Sequence, residues 1–398
     1  MNDLQPPLNI LMFGWELPPH HSGGLGTACH GIARGCLAIG GIALTLVLPM
    51  LRGDEEHGGA TLLAPPGGGA LGHGDADGQA ILPCPYGGDL LQAAQSYGVR
   101  AAALARQHPG FDVIHAHDWL TAGAGIAAKQ ASGKPLVLHI HSTEYDRAGH
   151  HADPRITAIE TAAMAEADLI IAVSNYTRHI VMERYGQPGH KVCTVYNGIT
   201  PGTAPLPAPR TQAGKTVTFL GRVTQQKGPA YFIAAAAHAL TLNPDLHFIM
   251  AGDGDLLPAM QQQAADLRID HRVAFPGFLR GDEVRHLLDH SDIYVMPSVS
   301  EPFGIAALEA IEAGVPAILS RQSGVVELFE HVVKVDYWDV AAMGHQMARL
   351  AGDAGLRARL RQDARGELAG HDWSACATAL QRSYRQLLAS KPGVAGAI

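Results

Sequence analysis

The strongest constraint in this sequence is an alternation that runs twice. Short apolar runs rich in Val, Ile and Leu alternate with stretches of helical periodicity from Asn9 to Val195, and the pattern restarts at Thr216. Between the two halves, residues 200–214 hold four prolines (Pro201, Pro205, Pro207, Pro209) and no apolar periodicity, which marks a linker. Wholly apolar strands separated by helices belong in parallel sheets covered on both faces, with the helices as crossovers. At 398 residues and 47 % hydrophobic, the chain is too long for one such core and has the material for two. The expected fold class is therefore α/β, two doubly wound Rossmann-like domains. Residues 1–200 form the first, 201–214 the linker and 215–372 the second. In 373–398, Trp373, Ala377, Leu380, Tyr384, Leu387 and Leu388 make an amphipathic helix expected to pack back onto the body. Such sheets bind ligands at their strand C-termini, so two facing domains are expected to share a central cleft.

In the first half, strands are expected at 9–13, 43–48, 112–115, 136–140, 169–173 and 192–195. Helices are expected at 27–39, 90–107, 121–130, 154–167 and from a Ser174 cap to about Tyr185. Residues 52–79 are Gly-rich and irregular, and read as a loop. In the second half the strands are 216–220, 247–251, 273–275, 293–297 and 317–320, and the helices 229–242, 256–267, 282–290 and 304–313.

Composition removes several classes of function. The net charge is −8 and no dense Lys/Arg run is present, so no nucleic-acid partner is expected. Cys29, Cys36, Cys84, Cys193 and Cys376 form no CxxC pair, which argues against a disulfide framework or a structural zinc site. Cys29 and Cys36 share a helix face and read as buried thiols. No window approaches the ~20 apolar residues of a membrane span. The apolar run 10–13 is too short and lacks the basic flank of a signal peptide, so a cytoplasmic protein without an integral membrane segment is expected.

Three motifs carry chemistry. The first, Gly14-Trp15-Glu16-Leu17-Pro18-Pro19-His20-His21-Ser22-Gly23-Gly24-Leu25-Gly26, leaves the first strand and opens the first helix. Side-chain-free positions at Gly23, Gly24 and Gly26 let backbone N–H groups approach an anion at a positive helix end. A tight turn also wants glycines. A dinucleotide site wants an acidic residue after the second strand, where this chain has Pro49-Met50-Leu51-Arg52.

The second motif is Gly221-Arg222-Val223-Thr224-Gln225-Gln226-Lys227-Gly228, directly after the strand at 216–220. Its two cations can neutralise a diphosphate in place of a metal, Arg222 as a planar fork and Lys227 as a mobile point charge. Two solvated surface charges are the alternative.

The third is Ser298-Val299-Ser300-Glu301-Pro302-Phe303-Gly304-Ile305-Ala306-Ala307-Leu308-Glu309. Glu301 precedes a helix, Phe303, Gly304 and Ile305 lie at its positive end, and Glu309 lies two turns on. Paired glutamates also serve hydrolases as acid and base, but a hydrolase has no use for a cationic diphosphate clamp.

With His115-Ala116-His117-Asp118-Trp119 and Asn197-Gly198, these motifs resemble the family 4 retaining glycosyltransferases, bacterial glycogen and starch synthases above all. The resemblance spans essentially the whole chain and implies the GT-B fold, with the donor nucleotide held mainly by the second domain. It implies that Glu301 contacts hydroxyls of the donor sugar, Glu309 holds the ribose, and Arg222 and Lys227 bind the diphosphate. Gly23 and Gly24 then approach from the first domain, and His141 (or His139 of the same run) sits beneath the sugar. Glu16 and Asp118 fall on the acceptor side, Asp118 matching a cleft-lining aspartate. The implied partners are a UDP- or ADP-sugar donor and a carbohydrate acceptor. The implied reaction is retaining transfer of a hexosyl, most simply glucosyl, group. Two departures leave acceptor and base open: His21 stands where the synthases carry a lysine, and the synthases are longer.

No metal or other cofactor is expected. Asp75/Asp77 and Asp253/Asp255 have the Asp-x-Asp form but read as turn chemistry. The histidines, including His20/His21 and His150/His151, show no HxxxH spacing on a helix and read as solvated or cleft-lining. A sugar-nucleotide epimerase on the same fold, or a non-catalytic nucleotide-sugar-binding protein, are the competing functions.

Overall fold

The computed structural model describes residues 6–20, 23–65, 89–200 and 214–390. His21, Asp75, Asp77, Cys84 and the four linker prolines lie outside those residues. The chain divides into two compact units, Met1–Glu144 with Ala152–Gly198 and Asp372–Ile398, and Tyr145–His151 with Ile199–His371.

The first unit is built on seven strands: β1 Leu8–Phe13, β2 Ile42–Val47, β3 Thr61–Leu63, β4 Val113–His117, β5 Leu136–Ile140, β6 Leu169–Ala172 and β7 Val192–Thr194. Their spatial order is β3-β2-β1-β4-β5-β6-β7, every neighbour parallel. The order reverses between β1 and β4, and ligands of doubly wound sheets bind at that switch point, outside the strand C-termini. The turn with Gly23 and Gly24 follows β1, and Asp118 follows β4.

The second unit holds β8 Lys215–Leu220, β9 Leu246–Ala251, β10 Val273–Gly277, β11 Ile293–Met296, β12 Ala317–Ser320 and β13 Val333–Val335, in the order β10-β9-β8-β11-β12-β13 and again all parallel. Its switch point lies between β8 and β11. The Arg222–Lys227 loop leaves one of those strands and the Ser298–Glu301 loop the other. Val217, Phe219, Phe232, Phe248, Ile293 and Met343 fill the core of this unit.

The last helix, Trp373–Ser390, packs on the helix Gly24–Ile39 of the first unit. Contact is so close at Gly31 that a Cβ there would stand 2.1 Å from Trp373 Cε2. Trp373, Cys376, Ala377, Leu380, Tyr384 and Leu387 are buried, the face that the amphipathic spacing anticipates. Two expectations need correction. Residues 52–79 contain the edge strand β3, and the stretch after β12 contains β13 and the helices Val340–Gly352 and Ala354–Leu368. The β3 run Thr61-Leu62-Leu63 and the β13 run Val333-Lys334-Val335 are three residues each, too short to set a period apart from a loop, although the equally short β7 is expected from 192–195.

Candidate active site

In the second unit two loops far apart in sequence meet. The turn Gln225–Lys227 ends at Gly228, whose φ of 65° is left-handed and whose Cβ, if present, would stand 2.1 Å from the Pro297 carbonyl oxygen. Glycine is therefore required both by the backbone conformation and by the approach of the β11 end. The Val299 N–H donates to the Gln226 carbonyl at 2.9 Å, joining the two loops.

Lys227 Nζ donates to Glu301 Oε2 at 2.6 Å, and Ser298 Oγ donates to the same oxygen at 3.0 Å. Glu301 is buried, and its Oε1 takes no hydrogen bond among the described residues, so one carboxylate oxygen remains for a ligand. Arg222 is exposed and held by Gln226, Nη2 donating to Oε1 at 3.1 Å. The structure thus brings the second and third motifs into one site.

The helix expected from 304 runs Ile305–Glu312, with Gly304 as its N-cap at φ 113° and no described side chain capping it. Its first N–H groups lack intrahelical acceptors and carry the positive end of the dipole. Phe303 is buried beside this end. Glu309 lies two turns into the motif, and burial pushes its carboxyl pKa up to about 7. The sequence gives no hint of Tyr294, a fully buried residue of β11. Its hydroxyl has no hydrogen-bond partner among the described residues, and burial first, then the charges of Glu301 and Glu309, raise its pKa. A tyrosine in an apolar strand reads as core.

In the first unit Gly23 is extended and caps the helix Gly24–Ile39. A Cβ at Gly23 or Gly24 would meet no atom of the described residues within 4 Å, so packing among those residues does not demand glycine at either position. Glu16 is buried on the loop after β1. Asp118 opens the helix Asp118–Ser132 at φ 51°, a left-handed conformation disfavoured for a residue with a Cβ. Its Oδ1 accepts the backbone N–H of His141 at 2.6 Å and of Ser142 at 3.3 Å. Asp118, expected on the acceptor side, thus tethers the turn that carries His141.

The reading of the histidines as solvated or cleft-lining needs correction. His150 and His151 are exposed and His20 is partly so, but His115, His117 and His139 are fully buried in β4 and β5. His141, half-buried, joins them: His117 Nδ1 and His141 Nε2 are 2.9 Å apart. His115 Nδ1 lies 2.5 Å from Tyr384 Oη, and His139 Nδ1 3.3 Å from His115 Nε2. Burial lowers all four pKa values, to about 3 for His115 and His141. His115, His117 and His139 each offer a ligating nitrogen, all within 4.8 Å of one another. Asp253 makes a turn contact, its Oδ1 accepting the Gly254 N–H at 2.8 Å. Cys29 and Cys36 are buried as expected, and burial raises both thiol pKa values. No helix among the described residues is long and apolar enough to cross a membrane.

Comparison with known proteins gives the family. Residues 22–202 match the model "Glycosyltransferase Family 4" and residues 208–367 match "Glycosyl transferases group 1". An uncharacterised glycosyltransferase of Methanocaldococcus jannaschii is 31 % identical over 345 residues, covering 82 % of this chain and 84 % of that one. Glycogen synthase of Mycobacterium tuberculosis is 29 % identical over 414 residues, covering 97 % and 96 %. The solved sucrose-phosphate synthase of Thermosynechococcus elongatus superposes with a TM-score of 0.79 at 19 % identity, over 96 % of this chain and all of that one, a likeness of fold. The chain belongs to family 4 of the glycosyltransferases, with the GT-B fold, and is a glycosyltransferase that resembles the glycogen synthases.

Proposed function

We propose that this enzyme moves a hexosyl group, glucosyl in the simplest case, from a UDP- or ADP-sugar to a carbohydrate acceptor, with retention of anomeric configuration and no metal ion at the diphosphate. One observation carries the reading: the two switch-point loops meet through Lys227 and Glu301, with Arg222 on the same loop as the lysine and a helix start beyond the glutamate. As the glycosidic C–O bond loosens, negative charge grows on the leaving diphosphate. Fixed cations and amide dipoles already in place stabilise that charge without reorganising. Glu301 fixes the Lys227 ammonium, and its free oxygen accepts from a donor-sugar hydroxyl. Glu309 holds the ribose. By the family resemblance Gly23, Gly24 and His141 act on the same donor, while Glu16 and Asp118 belong to the acceptor side. The acceptor hydroxyl attacks the anomeric carbon from the face the diphosphate leaves. Its proton passes to a departing phosphate oxygen, so the step needs no protein base.

Arg222→Ala and Lys227→Ala test the assignment. Each is expected to raise the barrier by roughly 2–4 kcal/mol, about 30- to 1000-fold in turnover, as loss of an oxyanion donor does. Wild-type rates in both variants with both UDP-glucose and ADP-glucose would sink it. Proton NMR of the product reads its anomeric configuration, and an inverted product removes the retaining mechanism. Because a ligand that binds only the folded state raises the melting temperature, a screen of nucleoside diphosphates identifies the base.

A further inference from the structure

The four histidines form one stack because of strand geometry. Residues two apart on a strand point to the same face, so His115 and His117 share a face of β4 and His139 and His141 a face at the end of β5. The register sets His117 opposite His139. Ring centroids are 4.3 Å apart for His139 and His141, and 5.0 Å for His117 and His141. His117 Nε2 and His141 Nδ1 are buried without a hydrogen-bond partner among the described residues.

A neutral imidazole carries one N–H and one bare nitrogen, and burial keeps these rings neutral. His117 and His141 together therefore own two N–H groups and share a single hydrogen bond. One N–H is left over whichever ring donates. If His141 donates, the orphan is His117 Nε2–H, in a ring with 0 % exposure. If His117 donates, the orphan is His141 Nδ1–H, in a half-buried ring just past the C-terminal end of β5. Orphaned N–H groups are rare in dry interiors; both atoms are buried here, and the second arrangement is favoured because its orphan belongs to the half-buried ring read as touching the donor, whereas His117 is fully buried.

We propose that His117 is a positioning residue for His141. Its Nδ1–H donates to His141 Nε2, fixes the ring, and selects the tautomer that offers Nδ1–H to an oxygen of the donor sugar. The inference rests on the reading of His141 as a residue that touches the donor. A divalent cation held by His115, His117 and His139 is the competing occupant of the stack. Tetrahedral zinc with Zn–N bonds of about 2.0–2.1 Å sets its ligand nitrogens roughly 3.4 Å apart. The 4.8 Å spread and the near-parallel rings of His117 and His139, at 28°, fit that poorly.

The full chain is tested as His117→Asn and His117→Leu, which have nearly the same shape and differ in whether an N–H stands at the Nδ1 position. Nitrogen-15 NMR of the imidazoles, with the His141 signals assigned by their loss in His141→Gln, reads the tautomer. Steady-state turnover of the donor gives kcat and KM, and elemental analysis gives the metal content. Protonation of His141 at Nδ1 is expected in the wild type and the Asn variant, and loss of that preference in the Leu variant. With it, kcat falls about tenfold in the Leu variant at little-changed donor KM, the worth of one hydrogen bond, while the Asn variant stays near wild type. His141 protonated at Nε2 in the wild type overturns the proposal. So do equal losses in both variants, wild-type kcat in the Leu variant while His141→Ala is impaired, or one zinc per chain. If the Leu variant does not fold, the wild-type tautomer and the Asn variant decide. If His141→Ala turns over at the wild-type rate, the donor-contact reading of His141 fails, and the tautomer still decides whether His117 positions it.

Discussion

Acidification should loosen the first unit well before its carboxylates matter. A histidine whose folded pKa lies below its unfolded value binds fewer protons folded than unfolded, so its stabilising effect is complete above the unfolded pKa and is lost as pH falls. His115 drops from 6.5 to about 3 on folding. Between pH 6.5 and pH 5 it alone removes about 2 kcal/mol, from roughly 1.4 kcal/mol per pH unit over 1.5 units. His117 and His139, equally buried, shift the same way and act in the same direction. Against a domain stability of about 5–15 kcal/mol the loss is large. Asp153, lowered to about 2 by its bonds to Arg155, responds only at more acid pH, which leaves the window between 7 and 5 to the histidines. Glu309 acts oppositely in the second unit: its raised pKa makes the folded form bind the extra proton, so that unit gains stability as pH falls from 7 towards 4.5. Three of the four tryptophans, Trp15, Trp119 and Trp373, are buried in the first unit, whereas Trp338 is 57 % exposed in the second. Urea unfolding followed by tryptophan fluorescence at pH 7, 6 and 5 therefore reports chiefly on the first unit. Hydrogen exchange at β4 and β5 checks the assignment. His139→Leu removes one buried base and should flatten the pH slope. An unfolding free energy unchanged from pH 7 to 5, or a slope the substitution does not alter, would refute the reasoning.

Three further outcomes are expected. Gly31→Ala forces a methyl into Trp373 and should cost about 1–3 kcal/mol by overpacking, seen as a lower Tm and faster exchange in the helix Trp373–Ser390. Asp118→Ala removes the acceptor of two backbone N–H groups and should destabilise by about 2 kcal/mol in a denaturant titration, whereas Asn, which tolerates the left-handed conformation and keeps an oxygen, should recover most of it. Donor affinity should rise with pH through about 7 as Glu309 ionises, and isothermal titration of Glu309→Gln should find that dependence gone.

The sequence revealed local order well and adjacency poorly. Strand β5 and the helices Leu90–Gln107 and Pro229–Leu242 lie where their apolar runs end, because a period of two or of 3.6 residues is written within one segment. The helix Val340–Gly352 carries a readable stripe in Met343, Met347 and Leu350, whereas Ala354–Leu368 buries only Ala364 and Leu368 and so has almost none. In the candidate site, Arg222, Lys227 and Glu301 were legible as charges at strand ends. The meeting of Lys227 and Glu301, 74 residues apart, depends on β8 lying beside β11, a pairing that no local pattern encodes.

The histidines show where such reading can be extended. His115 and His117 are two apart, as are His139 and His141, and a polar residue repeated at period two in an otherwise apolar strand puts a polar stripe on one face. A buried stripe of that kind needs a partner, because an unpaired polar group in a core costs about 1–3 kcal/mol. In parallel sheets the partner is the equivalent stripe on a neighbouring strand. Two His-x-His runs, each ending a predicted strand, therefore imply that β4 and β5 are neighbours, and the register of His117 opposite His139 agrees. The same logic explains why Asp118 accepts a strained backbone. Its carboxylate holds the turn after β5 against the end of β4, so the strand pair and His141 are fixed together.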